Sequence, residues 1–492
     1  MAMTSKVMMI GLDGASVDFI LASLPSLPNL RRAIDSGRLS RLRSRTTELL
    51  PAASWPTLYT GVPPGAHGIY YPMQWDAAEM RMRHVNGWLY AEPFWYELER
   101  RGCRVMALDV PMSWPSRLPR GLEVTDWGSH DRLAEFGANS TELATGIQRR
   151  FGKYPSGREI PVKKSFGQLT RMRDELIAGA RRKGELARWM AGLRDWNFFV
   201  VVFGETHRAG HLFWPVTPAE GVGHPAGALL AVYQAIDDAI GRLLEGVNLD
   251  DTTLIIVSAH GMALNASYEH FTRPIMDRVN RYFSGNGHVS GHGPRQRSAM
   301  RFLREKLPAR VQHALGQVAP APIRNYVVDR AISSGHDWSH TPALAVLASV
   351  TGFVRFNLRG RESRGMLDPA SEAFDRYARW VHESFNGFRT IETGVPLVDA
   401  VVPTREAFPG PRQEYLPDLI VSWTPMAQAC AGIHSARLGT INAERPTGRA
   451  GNHHPDGFTV VVERNGERGV AATPGDVLDV KPMVFRRLFE RV

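Results

Sequence analysis

The chain is poor in cysteine: its 492 residues hold two, Cys103 and Cys430. Two cysteines build neither a disulfide framework nor a cysteine-rich metal site, and they fit a reducing compartment. Long apolar runs are missing as well, and no stretch approaches a membrane span. The early apolar run, Val7 to Leu12, ends directly in Asp13-Gly14. A buried strand ends that way; a signal peptide does not. The expected location is cytoplasmic, with no membrane partner. There is no block of Lys and Arg, although the formal net charge is +10. The basic residues are scattered and mostly Arg, so no nucleic-acid polymer is expected as a partner. The excess reads as solvated surface with a mild bias toward small anionic substrates. Internal repeats and low-complexity tracts are also absent.

What is present is a globular composition, 43% hydrophobic and 22% charged, long enough for a large core and one or two domains. Buried strands are expected at Val7–Leu12, Arg104–Val110, Asn197–Phe203 (NFFVVVF), Thr252–Val257 and Phe458–Val462. Helical patterns lie between them, among them Pro28–Ser36, Ala91–Arg101, Ala226–Glu245 and a closing helix from Val477 to Phe489. Residues Leu169 to Leu193 carry a long helical pattern whose basic face reads as solvated. Alternating strand and helix predicts an α/β fold: a doubly wound, mainly parallel sheet with helices on both faces. The irregular stretch 265–337 reads as an inserted cap or lid in a core made of 1–264 and 338–492. It contains a Gly/His loop, Gly285 to Gly293, better read as a mobile polar loop than as a metal site.

The residues able to do chemistry stand at strand ends, where open α/β sheets collect ligands. Asp13 follows the first strand. It is either a helix cap or a metal ligand. Ser54, in LLPAASWPTLYTGVPPGAH, reads as the cap of a short helix over Trp55–Tyr59, with Pro51 suited to an extended approach. A hydroxyl there would meet free N–H groups and the positive end of the helix dipole. The same pattern also describes an ordinary cap serine. Past the third strand comes Glu205-Thr206-His207-Arg208-Ala209-Gly210-His211. His207 and His211, four apart, face one way on a helix, which suits a metal pair. His260 follows the Thr252–Val257 strand, and Gly451-Asn452-His453-His454-Pro455-Asp456-Gly457 precedes the last one.

In order, IGLDG, PAASWPTLYTG with AHGI, ETHRAGH, VSAHGM, GFVRFNLRGRESRG and GNHHPDG resemble the alkaline phosphatase superfamily, and within it the type I phosphodiesterase/nucleotide pyrophosphatase family. The resemblance runs from Val7 to the last helix, leaving out mainly the 265–337 insertion. It implies two zinc ions about 4 Å apart that clamp a phosphoryl group. It also implies a Ser or Thr that attacks phosphorus and forms a covalent intermediate, later hydrolysed. By the resemblance, Asp13, Ser54 and His260 would hold one ion and His207, His211 and His453 the other, with Ser54 as nucleophile. His453, not His454, matches the family's G-x-H pattern.

Three departures bear on this. Ala259 stands where the family has an Asp, His207 where it has another, and Pro72 about where nucleotide pyrophosphatases have a substrate-binding Asn. With fewer carboxylates, excess positive charge should weaken one metal or demand a strongly anionic substrate. Glu205 is expected either to compensate by joining the metal shell or to be a loop acid facing solvent. Unequal occupancy follows, with the three-His site filled and the Asp13 site weaker. The expected activity is metal-dependent hydrolysis of phosphate esters, diesters ahead of monoesters, by one or two divalent ions, zinc for preference. Phosphoryl transfer to another acceptor, or a non-hydrolytic binding protein with a degraded metal site, are the alternatives. The oligomeric state is left open.

Overall fold

The computed structural model describes residues 5–85, 88–129, 135–157, 159, 163–215, 225–283, 319–333, 336–425, 430–443, 448–463 and 474–490. The Gly/His loop expected at 285–293 lies outside the described residues. An eight-stranded mixed sheet organises the rest. In chain order its strands are β1 (Lys6–Leu12), β2 (Arg38–Leu42), β3 (Val105–Leu108), β4 (Leu122–Thr125), β5 (Gly137–Ala138), β6 (Phe198–Phe203), β7 (Thr252–Ser258) and β8 (Gly457–Val462). Their order across the sheet is β2-β8-β7-β1-β6-β3-β4-β5.

The five central strands, β7-β1-β6-β3-β4, run parallel. The edges are antiparallel: β8 against β7 and β2, and β5 against β4. The expected doubly wound core is therefore present, with antiparallel strands added at both edges. The edge strand β2, RLSRL, was not legible as a strand: it is short and largely polar, and only pairing with β8 makes it one.

Strict alternation along the central strands explains why both sheet faces are covered. Met8, Ile10 and Leu12 of β1 join one core cluster with Phe199, Val201 and Phe203 of β6. Val7 and Met9 join the opposite cluster with Phe198, Val200 and Val202. The helices α2 (Phe166–Ala191) and α4 (Ala228–Leu244) cover the first face. The short helix α1 (Ser54–Thr60) and the closing helix α5 (Val480–Phe489) cover the second. At about 25 cal/mol per Å² of apolar surface, each fully buried Leu, Ile, Val or Phe contributes roughly 1.5–3 kcal/mol before entropy is counted.

A second, antiparallel sheet is built from Ala343–Val346, Gly352–Phe356, Leu419–Trp423 and Val398–Pro403. Tyr268, Phe271, Ile275 and Val279 pack into the same core cluster as its Val354 and Val421. The described start of the 265–337 stretch is thus welded to the second sheet.

Candidate metal centre and active site

Parallel strands deliver their carboxyl ends to one rim. Leu12 of β1 leads into Asp13, Phe203 of β6 into helix α3 (Glu205–Phe213), and Ser258 of β7 into Ala259-His260. Because β8 is antiparallel to β7, its first residues lie at the same rim, with Phe458 opposite Ser258. That brings in Gly451–His454, which pairs with Gly261–Leu264 so that His453 stands opposite Met262.

Backbone contacts hold the rim in place. The Asp13 N–H donates to the Phe203 carbonyl at 3.0 Å. Thr206 Oγ1 donates to the Asp13 carbonyl at 2.6 Å. Gly451 is needed for the approach of the His453 strand to α3, since a Cβ at residue 451 would come within 2.4 Å of the Gly210 carbonyl oxygen.

Three imidazoles meet there. His207 Nε2 is 2.9 Å from His211 Nε2 and 3.0 Å from His453 Nε2. The outer nitrogens face protein acceptors. His211 Nδ1 lies 2.9 Å from the Gly451 carbonyl oxygen, which can only accept, so its proton is on Nδ1 and its lone pair on Nε2. His207 Nδ1 lies 3.1 Å from Asp13 Oδ2. His453 Nδ1 lies 3.3 Å from Ser349 Oγ. Burial pushes the pKa of His211 well below 6.5, aided by nearby Arg449. Burial does the same to His453, aided by the neighbouring histidines, His260 first. The Nε2 contacts are of hydrogen-bond length, so a ring proton or a cation between the rings can hold them together, and a neutral ring is the form that ligates. A carboxylate and a carbonyl behind the rings are the kind of outer partner that orients histidines at metal sites.

A second group shares one member with the first. Ligand atoms of Asp13, His207 and His260 lie within 4.8 Å of one another, as do those of His207, His211 and His453. His207 thus stands between the two groups. Asp13 also accepts a hydrogen bond from Trp55 Nε1 at 2.6 Å, which ties the Ser54 turn to the same rim.

Two expectations change in detail. Ser54 does not cap a helix: its φ/ψ of −60°/−44° is helical, and it is the first residue of α1 after a 3-10 turn at Pro51–Ala53. Its buried hydroxyl donates to the Pro51 carbonyl at 2.6 Å. The reason lies in the sequence. With Ser54 as cap, the second helical position would be Pro56, which has no N–H to offer. Pro51 starts the winding early instead of extending the chain.

Glu205 is neither exposed nor grouped with the histidines. Its Oε1 accepts from the Tyr154 hydroxyl at 2.6 Å and lies 3.5 Å from Lys183 Nζ. Lys183 sits on the face of α2 expected to be solvated, yet its side chain is fully buried. It also contacts Asp109 Oδ2 at 3.2 Å and donates to the carbonyls of Gly128 and Val202. Trp55 and Lys183 were missed in the sequence. Trp55 was legible only as the neighbour of Ser54, and nothing in a run of basic residues singles out Lys183.

Residues 7–351 match the family model described as type I phosphodiesterase / nucleotide pyrophosphatase, more than half of the chain. The chain belongs to this family. It is a phosphoric ester hydrolase. Among solved structures it is similar to phosphonoacetate hydrolase from Sinorhizobium meliloti 1021 in complex with phosphonoformate, at 13% identity and a TM-score of 0.52, covering 99% of this chain and 96% of that one. It is also similar to an inactive form of murine ectonucleotide pyrophosphatase / phosphodiesterase 5 in complex with AMP, at 12% identity and a TM-score of 0.50, covering 98% of this chain and 95% of that one. At such identities these two carry the fold alone. No curated protein matches the sequence. Among the described residues no helix is long and apolar enough to cross a membrane.

Proposed function

We propose that this family member is a metal-dependent hydrolase of phosphate esters, diesters ahead of monoesters, with Ser54 as nucleophile. The observation that carries the metal is the convergence of three Nε2 atoms at 2.9 and 3.0 Å, with an acceptor behind at least two of the rings. Three imidazoles suit zinc with one open position. His207, His211 and His453 would hold it. Asp13, His260 and Ser54 would hold a second, weaker ion. When bound, the metal polarises the phosphoryl oxygens and offsets charge in the transition state.

The chain's own part is positioning. Trp55 fixes the Asp13 carboxylate, and Asp13 in turn orients His207. Ser54 Oγ forms a bond to phosphorus as the P–O bond to the leaving alcohol breaks, and water then releases the phosphoryl group from Ser54. The 265–337 stretch would serve as a cap over this rim. Two buried free cysteines, Cys103 and Cys430, favour the cytoplasm.

Ser54→Ala tests this reading on an activated aryl phosphodiester. The variant should keep its zinc by elemental analysis and lose nearly all turnover. Near wild-type turnover would show that water attacks directly, and an absence of bound divalent metal in the wild type would remove the mechanism.

A further inference from the structure

Arg208 follows His207 on α3 and is 1% exposed. Its Nη2 donates to Ser156 Oγ at 2.8 Å and to the Gly157 carbonyl. Its Nε and Nη1 are buried and have no hydrogen-bond partner. Glu205, one helical turn earlier, does not neutralise it, being engaged with Tyr154 and Lys183. An arginine presents a rigid fork of donors that cannot shed its charge, so leaving two of its nitrogens unpaired in the interior is costly.

Other cations gather on the same side. Lys164, 5% exposed, follows the Ser156–Gly157 stretch in sequence. Burial is the main reason its ammonium is pushed down to about 8; of the charges around it, Glu159 opposes the shift while Arg449 and Arg208 reinforce it. Arg449 Nε pairs with Glu159 at 2.7 Å, and its charge reaches both His211 and His453. Arg208 and His211 are three apart on one helix and so are neighbours on its surface. The cationic group therefore borders the three-imidazole cluster on the His211 side.

We propose that Arg208, with Lys164 and Arg449, forms an anion subsite beside the three histidines, and that the substrate is a phosphate ester bearing a second anionic group, a carboxylate or a further phosphate, away from the ester phosphorus. This rests on the hydrolase reading above. The free edge of Arg208 suits a planar or tetrahedral oxyanion, which accepts two parallel N–H bonds. Tested with three aryl phosphodiesters that share a leaving group, the zinc-loaded enzyme should prefer a second arm ending in carboxylate or phosphate over a methyl arm by about tenfold or more in kcat/KM. The charged arm preferred more strongly identifies the source of the anion. Arg208→Met should abolish the preference, and Lys164→Gln, a milder change, should lower it.

Sulfate provides a readout independent of turnover. At low millimolar concentration, against chloride of equal ionic strength, it should raise the Tm of the wild type saturably and that of Arg208→Met by no more than the general salt effect. Equal loss on all three diesters in both variants would overturn the subsite. So would a wild type that shows neither an arm preference nor a response to sulfate while hydrolysing the methyl diester. Conversely, sulfate stabilisation that depends on Arg208, in a protein that cleaves no diester, would keep the subsite and reject the hydrolase reading.

Discussion

Helix α3 separates two buried polar clusters that look alike by exposure and differ in chemistry. At its start, Glu205, Lys183, Asp109 and Tyr154 form a closed set. The lysine meets two carboxylates and two carbonyls, and Asp109 also accepts from the N–H groups of Trp127 and Gly128. Positive faces negative, and Glu205 Oε2 is the oxygen of the set left without a hydrogen bond. Along the helix, His207 and His211 with His453 do the reverse: their Nε2 atoms point at one another while their Nδ1 atoms face oxygen. The closed set holds structure together, because its lysine is compensated where it stands. The open set gathers donor atoms that an added cation would satisfy, which is what the proposed function asks of it. Glu205 belongs to the first set even though it lies two residues from His207.

The sharpest way to break this contrast is to remove one member of the open set. His211→Ala should abolish tight zinc binding and cut diester turnover by at least on the order of a hundredfold, more than is usual for an outer partner. The fold should survive, as judged by circular dichroism. Retention of stoichiometric zinc would place the metal elsewhere.

The next largest effect belongs to the closed set. Lys183→Met strands two buried carboxylates and should cost about 3–5 kcal/mol in denaturant unfolding. Glu205→Gln should leave zinc content unchanged. If Glu205→Gln instead released an ion, the glutamate would be a ligand after all, and the division between the clusters would fail.

Ala259→Asp probes the weaker half of the open set. Ala259 is fully buried and stands beside His260. Restoring a carboxylate there should raise the occupancy of a second ion beside Asp13 and His260, read by zinc titration calorimetry. Two equal tight sites in the wild type, unchanged by the substitution, would mean that another residue already fills the gap.

A last test is the pH stability of the metal-stripped protein. Burial holds His211 and His453 well below 6.5 and pushes His67 down to about 3. Below 6.5 the unfolded chain therefore binds more protons than the folded one, so stability is complete above that value and falls as pH drops toward 3. The urea midpoint should be lower at pH 5 than at pH 7.5, and zinc should reduce the difference at the pH where it stays bound. A midpoint that did not change would show that the rings are already protonated in the folded state.

The central strands, Asp13 and the four histidines were legible because each sits in a local pattern: an apolar run followed by a polar residue, or a pair four apart. The antiparallel strand Arg38–Leu42 was not, because its residues resemble surface until Gly457–Val462 supplies the hydrogen bonds. Lys183 was read as solvated for the same reason: a helix face is judged by its average, and one buried lysine departs from it. The conformation of Ser54 was open to inference, since Pro56 removes a donor that a cap needs, but the 3-10 turn at Pro51 shows only in the structure.

By itself the sequence determined the alternation of strand and helix, the alignment of chemistry with strand ends and the identity of the donor atoms, since these depend on residue type and short spacing. Only the tertiary structure decided which donors face each other. The tautomer of His211 depends on Gly451, 240 positions away in the chain, and His207 faces Asp13 across 194. Whether Glu205 faces solvent, metal or Lys183 was likewise set by how α2 and α3 pack on the sheet, because a charged group's role follows from the charge opposite it, and no local pattern names that partner.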